Sequence, residues 1–318
     1  MSHKIIFLGS GEFAVPSLRA LASFADFEIQ LVVTQPDKAR GRGQKIQPGI
    51  LKAAAEELGL KVAQPEKKHK LDLQVALAKV AAESGRPEAL VVVSYGKILP
   101  QDVLDLAVKG CLNLHPSLLP KYRGSAPIQG AILDGLETTG VTIMLLDAEM
   151  DHGPILDQKE VKIEDKETGG GLSRKLAEKG AEALVEALEG WLAGQIEPRE
   201  QNHDQATYTS KITKEMGKID WERSAAEIER QVRALQPWPG AFTVWEGKIL
   251  KIWRAEVTDG KIGAGGEVGM VLGDDGDLRV VCGVGVLHIL ELQLEGRWIM
   301  SAREFLTGNK GIIGEKLG

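Results

Sequence analysis

The sequence predicts an α/β domain built on a doubly wound parallel sheet, followed by a smaller β-barrel domain. Three observations predict it. Short apolar runs such as Lys4–Leu8 and Leu90–Val93 alternate with helical patterns through the first part of the chain, the order of a βαβ sheet. A polar stretch without periodicity then intervenes at 194–208. From Phe242 onward, short alternating segments separated by Gly and Asp turns take over. A chain of 318 residues suits two domains of roughly 100–200 residues each. We divide it into residues 1–193, a linker at 194–208, and residues 209–318.

Taken in order, Lys4 to Leu8 reads as a buried strand, Gly9-Ser10-Gly11 as a tight turn, Phe13 to Phe24 as a helix and Glu28 to Thr34 as the second strand. Gly9, Gly11 and Ala14 match a variant dinucleotide fingerprint. That fingerprint also wants an acid at the end of the second strand; Thr34 and Gln35 stand there, so the glycines read as turn formers. Ile50 to Leu58 and Leu71 to Ala82 are helices, with a short strand at Lys61 to Ala63. Strands follow at Leu90–Val93, Cys111–Leu114, Val141–Leu146 and Ile155–Ile163, with a helix at Ile128–Leu133. Thr168 caps a long helix from Leu172 to Leu192, whose Leu172, Leu176, Leu184 and Leu188 form a core stripe. A helix at Ala225–Leu235 precedes the barrel strands Phe242–Trp245, Ile249–Arg254, Gly266–Leu272, Leu278–Cys282 and Gly285–Leu294, with a hairpin turn at Asp275-Gly276. The first domain is therefore Rossmann-like and the second OB-like. On its residues alone the barrel reads equally as structural or as nucleic-acid-binding.

Composition is that of an ordinary globular chain, 43% hydrophobic and 26% charged. No apolar run approaches the roughly 20 residues that span a bilayer. Met1-Ser2-His3-Lys4 passes straight into a strand, with no secretory pattern. Cys111 and Cys282 are the only cysteines and give neither a disulfide framework nor metal spacing. A cytoplasmic, metal-free monomer is expected. The net charge of −6 means that a polyanionic partner would need a local basic patch. Gln35 to Pro48 supplies one: Lys38, Arg40, Arg42 and Lys45 stand against the single acid Asp37 in a Gly-rich, mobile loop.

The stretch CLNLHPSLLPKYRG, Cys111 to Gly124, carries the chemistry. Asn113 and His115 are two apart, so a strand points both to one side. Pro116 ends the ladder directly after them. Strand ends of open α/β sheets are where such folds hold ligands. Asp151 follows a second apolar strand and can reach His115 if the two strand ends are neighbours. An amide, an imidazole and a carboxylate suit acyl-type transfer without a metal or covalent intermediate.

Asn113, His115 and Asp151, with the His-Pro-Ser-Leu-Leu-Pro run between them, resemble the signature of the 10-formyltetrahydrofolate-dependent formyltransferases. Ala206-Thr207-Tyr208, Lys211-Ile212, Gly217 to Trp221 and Trp238 to Phe242 resemble that family's tRNA-specific branch. The resemblance implies transfer of the formyl group of 10-formyltetrahydrofolate, released as tetrahydrofolate, to the free α-amino group of an initiator tRNA charged with methionine. It assigns catalysis to Asn113, His115 and Asp151, with Asp151 orienting the imidazole and favouring its charged form. Ser117, Leu118, Leu119 and Pro120 would line the folate side, and Tyr95, Gly96 and Ile98 the pterin pocket. Lys38, Arg40, Arg42 and Lys45 would meet the tRNA, and the barrel domain would bind it. One departure is visible: the family's turn after the first strand is usually Gly-Thr-Pro, where this chain has Gly9-Ser10-Gly11.

Overall fold

The computed structural model describes residues 2–40, 45–65, 70–258, 266–274 and 276–318. Packing draws two compact units from interleaved segments. The first comprises Met1–Gly124, Thr138–Lys162 and Ser173–Thr209; the second comprises Ser125–Glu137, Ile163–Leu172 and Ser210–Gly318. The sequence reading places one boundary at 194–208, whereas packing assigns that polar stretch to the first unit.

In the first unit, β1 (His3–Gly9), α1 (Val15–Ser23) and β2 (Phe27–Val33) open the fold as expected. The basic loop then contains a short antiparallel hairpin, β3 (Lys38–Arg40) with β4 (Lys45–Gln47). Next come α2 (Ile50–Glu57), β5 (Val62–Ala63), α3 (Lys70–Ser84), β6 (Ala89–Val93), α4 (Gln101–Leu104), β7 (Cys111–His115) and the two-residue β8 (Arg123–Gly124). After α5 (Pro127–Leu133), which packs in the second unit, follow β9 (Thr138–Leu145), β10 (Ile155–Lys162), α6 (Gly169–Leu192) and β11 (Tyr208–Thr209).

The main sheet has the order β10-β9-β7-β6-β1-β2-β5. β1 lies between β2 and β6 and is parallel to both, and β6 is parallel to β7. β6 and β7 are buried throughout, as parallel strands covered on both faces must be. The expected parallel sheet is in fact mixed: β9 runs antiparallel to β7, and β10 antiparallel to β9. Residues 146–154 between β9 and β10 are too few for a parallel crossover, which takes roughly a dozen residues or more. On one face Ile6, Leu8, Leu90, Val92 and Cys111 pack with Leu73, Leu77 and Val80 of α3. Asn113 and His115 lie on the same face of β7 as Cys111 by alternation. On the other face α6 comes down on β7, where a Cβ on Gly180 would lie 2.7 Å from Leu114.

In the second unit, α7 (Ala225–Ala234) packs beside α5, with Arg230 Nε donating to the Leu133 carbonyl at 2.9 Å. The strands are β12 (Ala241–Trp245), β13 (Lys248–Thr258), β14 (Val271–Asp274), β15 (Asp277–Val281), β16 (Val286–Leu294) and β17 (Met300–Ser301), followed by α8 (Ala302–Gly308). They form an antiparallel, barrel-like sheet in the order β12-β13-β16-β15-β14, with β17 on β16. Long β13 slips register near Arg254, a bulge that bends a strand and raises its twist. Trp221, Ile228, Leu250, Leu287, Ile289 and Phe305 are among the residues filling the core. Asp275 of the expected hairpin turn lies outside the described residues.

Candidate active site

β7 ends at His115, at the carboxyl edge of the sheet where β1 and β6 also end. Its imidazole is buried, and Nε2 lies 2.9 Å from the Tyr122 carbonyl. A carbonyl only accepts, so Nε2 carries the hydrogen and donates. Any further proton on this ring therefore sits on Nδ1. That nitrogen is 3.7 Å from Asp151 Oδ1. Two groups far apart in sequence meet, but at ion-pair distance and not in a hydrogen bond. The imidazole is oriented by the Tyr122 carbonyl, where the sequence reading gives that task to Asp151. Asn113 shares the face with His115, is 9% exposed, and its side-chain amide hydrogen-bonds to no described residue.

Asp151 sits in the 146–154 loop with φ +50°, a left-handed conformation that Asp tolerates better than most residues. Its Oδ2 accepts the Gly124 backbone N–H at 2.7 Å. Gly124 itself has φ +106°, and a Cβ there would lie 2.3 Å from the Thr209 carbonyl. Gly153 is equally constrained, since its Cβ would meet the Leu145 carbonyl at 2.1 Å. These two glycines let β8 and the Asp151 loop close in on β11 and β9.

Behind the pair lies a network that the sequence reading did not find. Gln201 Nε2 donates to the carbonyls of Asp151 (3.0 Å) and Gly153 (2.8 Å). Its Oε1 accepts from Arg123, from Nη2 at 2.7 Å and Nε at 3.2 Å. Arg123 is 2% exposed. Its other polar contacts among the described residues are His203 Nδ1 at 2.8 Å and the Tyr208 hydroxyl at 3.4 Å, so no carboxylate partners it. Because guanidinium only donates, His203 Nδ1 accepts. Gln201, His203 and Tyr208 come from the stretch read as linker and its edge. The signal for them was the Lys121-Tyr122-Arg123 segment, whose partner could not be read from spacing.

The residues expected to meet folate divide. Ser117 is fully buried and donates Oγ to the Lys121 carbonyl at 2.7 Å. Leu119 packs with Met144 and Ile155. Leu118 lies over Gly140 of β9, where a Cβ would be 2.5 Å from it. Pro120 stays half-buried. After β6, the Tyr95 ring is buried, its hydroxyl has no hydrogen-bond partner among the described residues, and burial pushes the phenol pKa up. Gly96 has φ +73°, and Ile98 is 88% exposed. The 94–98 and 116–120 loops leave adjacent parallel strands side by side. Of the residues expected to meet tRNA, Arg42 and the side chains of Lys38, Arg40 and Lys45 lie outside the described residues. Asp37, at the hairpin's base, bonds Lys52 (2.7 Å), Gln64 (2.8 Å) and the Gly49 N–H (3.2 Å), and the Lys52 and Gln64 bonds hold its carboxyl below its usual range. Among the described residues, no group of three or more His, Cys, Asp or Glu could hold a metal ion. No helix among them is long and apolar enough to cross a membrane.

With this edge, pair and barrel in place, comparison with known proteins is specific. Residues 3–188 match the formyl transferase model and residues 211–310 the formyl transferase C-terminal domain model. The chain belongs to the formyl transferase family. It is 45% identical over 308 residues to a methionyl-tRNA formyltransferase of Caldanaerobacter subterraneus, covering 96% of this chain and 97% of that one. It is 44% identical over 310 residues to the methionyl-tRNA formyltransferase of Thermodesulfovibrio yellowstonii, covering 98% and 97%. Among solved structures, it resembles WlaRD, a sugar 3N-formyl transferase in the presence of dTDP and 5-N-formyl-THF, with TM-score 0.67 and 19% identity over 94% of this chain and 100% of that one. That similarity shows the shared fold.

Proposed function

We propose that this enzyme transfers the formyl group of 10-formyltetrahydrofolate to the α-amino group of methionyl-tRNA. The observation that carries the reading is the meeting of His115 Nδ1 and Asp151 Oδ1 at 3.7 Å on the carboxyl edge of the sheet, on the face that also bears the amide of Asn113, which hydrogen-bonds to no described residue.

An α-amine with a pKa near ~7.7 keeps a neutral, nucleophilic fraction at neutral pH. It attacks the formyl carbon, and the new C–N bond forms as charge moves onto the formyl oxygen. The Asn113 N–H and a proton on His115 Nδ1 donate to that oxygen. His115 Nδ1 has no hydrogen bond to Asp151, which leaves it for the substrate. The intermediate collapses as the bond to the folate nitrogen breaks. The proton lost by the amine reaches that nitrogen through Asp151 or a water it holds, and tetrahydrofolate leaves. Leu118, Pro120, Gly96 and Ile98 are the accessible members of the folate side, while Ser117, Leu119 and Tyr95 support it from within. Residues 1–193 carry catalysis. Residues 209–318, with the basic segment around Arg42, hold the initiator tRNA. The enzyme works as a cytoplasmic monomer and needs no metal.

The test is formyl transfer from labelled 10-formyltetrahydrofolate to initiator methionyl-tRNA, elongator methionyl-tRNA and a nucleotide-linked amino sugar. Labelled initiator tRNA in clear preference is expected. Preferential labelling of the amino sugar overturns the assignment.

A further inference from the structure

We infer that Arg123 and Gln201 form a buried positioning pair that fixes Asp151 against His115. The inference rests on the reading of those two residues given above. Three consecutive residues hold both partners. Tyr122 binds the imidazole through its carbonyl at 2.9 Å. Gly124 binds the Asp151 carboxylate through its N–H at 2.7 Å. Arg123, between them, turns its guanidinium into the protein and grips Gln201, whose amide binds the main-chain carbonyls of Asp151 and Gly153. Asp151 is thus held by its carboxylate and by its backbone.

The hold has a physical purpose. A non-glycine residue at φ +50° persists when its surroundings over-determine it. The carboxylate alone leaves the peptide free to rotate, and the Gln201 amide removes that freedom. Gln201 has one donor group to give and one oxygen to receive. Arg123 saturates the oxygen twice, which fixes the amide so that its NH2 faces the loop. A buried guanidinium without a carboxylate is costly, and a merely structural pair would be served as well by an acid at position 201. An acid, however, cannot donate to the two carbonyls.

That difference supplies the test. Gln201→Glu keeps, and charges, the bond to Arg123 but loses both donors; Gln201→Leu loses everything; Arg123→Lys keeps the charge without the fork. In formyl transfer to methionyl-tRNA, each should lower kcat by about 10–10²-fold, the scale of a small misplacement at a reacting group. KM for both substrates should stay near that of the unaltered enzyme. Wild-type kcat in Gln201→Glu overturns the inference. A second readout needs no turnover. In hydrogen–deuterium exchange, residues 146–154 should lose protection in Gln201→Glu while β6 and β7 keep theirs; unchanged protection also overturns it. Failure of the unaltered enzyme to formylate methionyl-tRNA would remove the functional reading, and the exchange result would still decide the positioning claim.

Discussion

At the scale of single residues, the site is a set of side chains held largely by main-chain groups. His115 is oriented by a carbonyl and Asp151 by an N–H. Every residue has such groups, so their use leaves no mark in a sequence. Asn113, His115 and Asp151 stood out in the sequence because two of them sit two apart on a strand that Pro116 ends, and the third follows a second strand. Arg123 was visible only as part of a basic segment, and Gln201 only as one polar residue among many. The roles proposed for the first three predict distinct failures. Asp151→Asn should lower kcat by about 10²–10⁴-fold, the usual worth of general acid–base assistance, and His115→Ala, which removes an oxyanion donor, by about 10²–10³-fold, with unfolding midpoints close to that of the parent. Either variant turning over at the parental rate would remove its residue from the mechanism. Asn113→Ala removes one oxyanion donor and should cost about 10²–10³-fold in kcat, measured in single turnover so that product release does not mask it.

At the scale of elements, hydrophobic period and turn residues placed most strands and helices, because burial imposes both. Strand direction was less visible, since an apolar run such as Val141–Leu146 reads alike in either sense. The length of the connection to β10 carried the information instead. The expected strand at Gly266–Leu272 begins only at Val271, because Met270 N–H closes a turn on the Glu267 carbonyl. α7 shows how local chemistry fixes an element. Ser224 and Glu227 form a reciprocal capping box. The Ser224 hydroxyl, then the Ser224 N–H, then Arg223 pull the Glu227 carboxyl down to about 2. A lowered carboxylate stabilises the fold fully above its unfolded value of about 4.3, and the benefit fades as pH falls toward the folded value. Ser224→Ala should therefore destabilise the fold near neutral pH, read as a lowered denaturant midpoint, and the gap from the parent should narrow between roughly pH 4 and 2. A gap that stays constant across that range would assign the loss to something other than the ionised carboxylate.

At the scale of the molecule, a chain of net charge −6 that is proposed to hold a polyanion must do so with local charge. Arg42→Ala is expected to raise the concentration of tRNA giving half-maximal rate roughly tenfold and to reduce the salt slope of tRNA binding by about 1, with folate binding unchanged. An equal loss for both ligands would place Arg42 elsewhere. The two-domain reading was available from texture along the chain, but texture is linear. It could not show that residues 125–137 and 163–172 pack with a unit whose remainder starts at Ser210. This interleaving has a consequence for the nascent chain. α5 is synthesised about 90 residues before the α7 on which it packs, so at about 5–20 residues per second it waits roughly 5–20 s on the ribosome without its partner. Asp151 waits in the same way for Gln201, and the first unit has all its segments once Thr209 is made, while α5 still waits for the rest of the second.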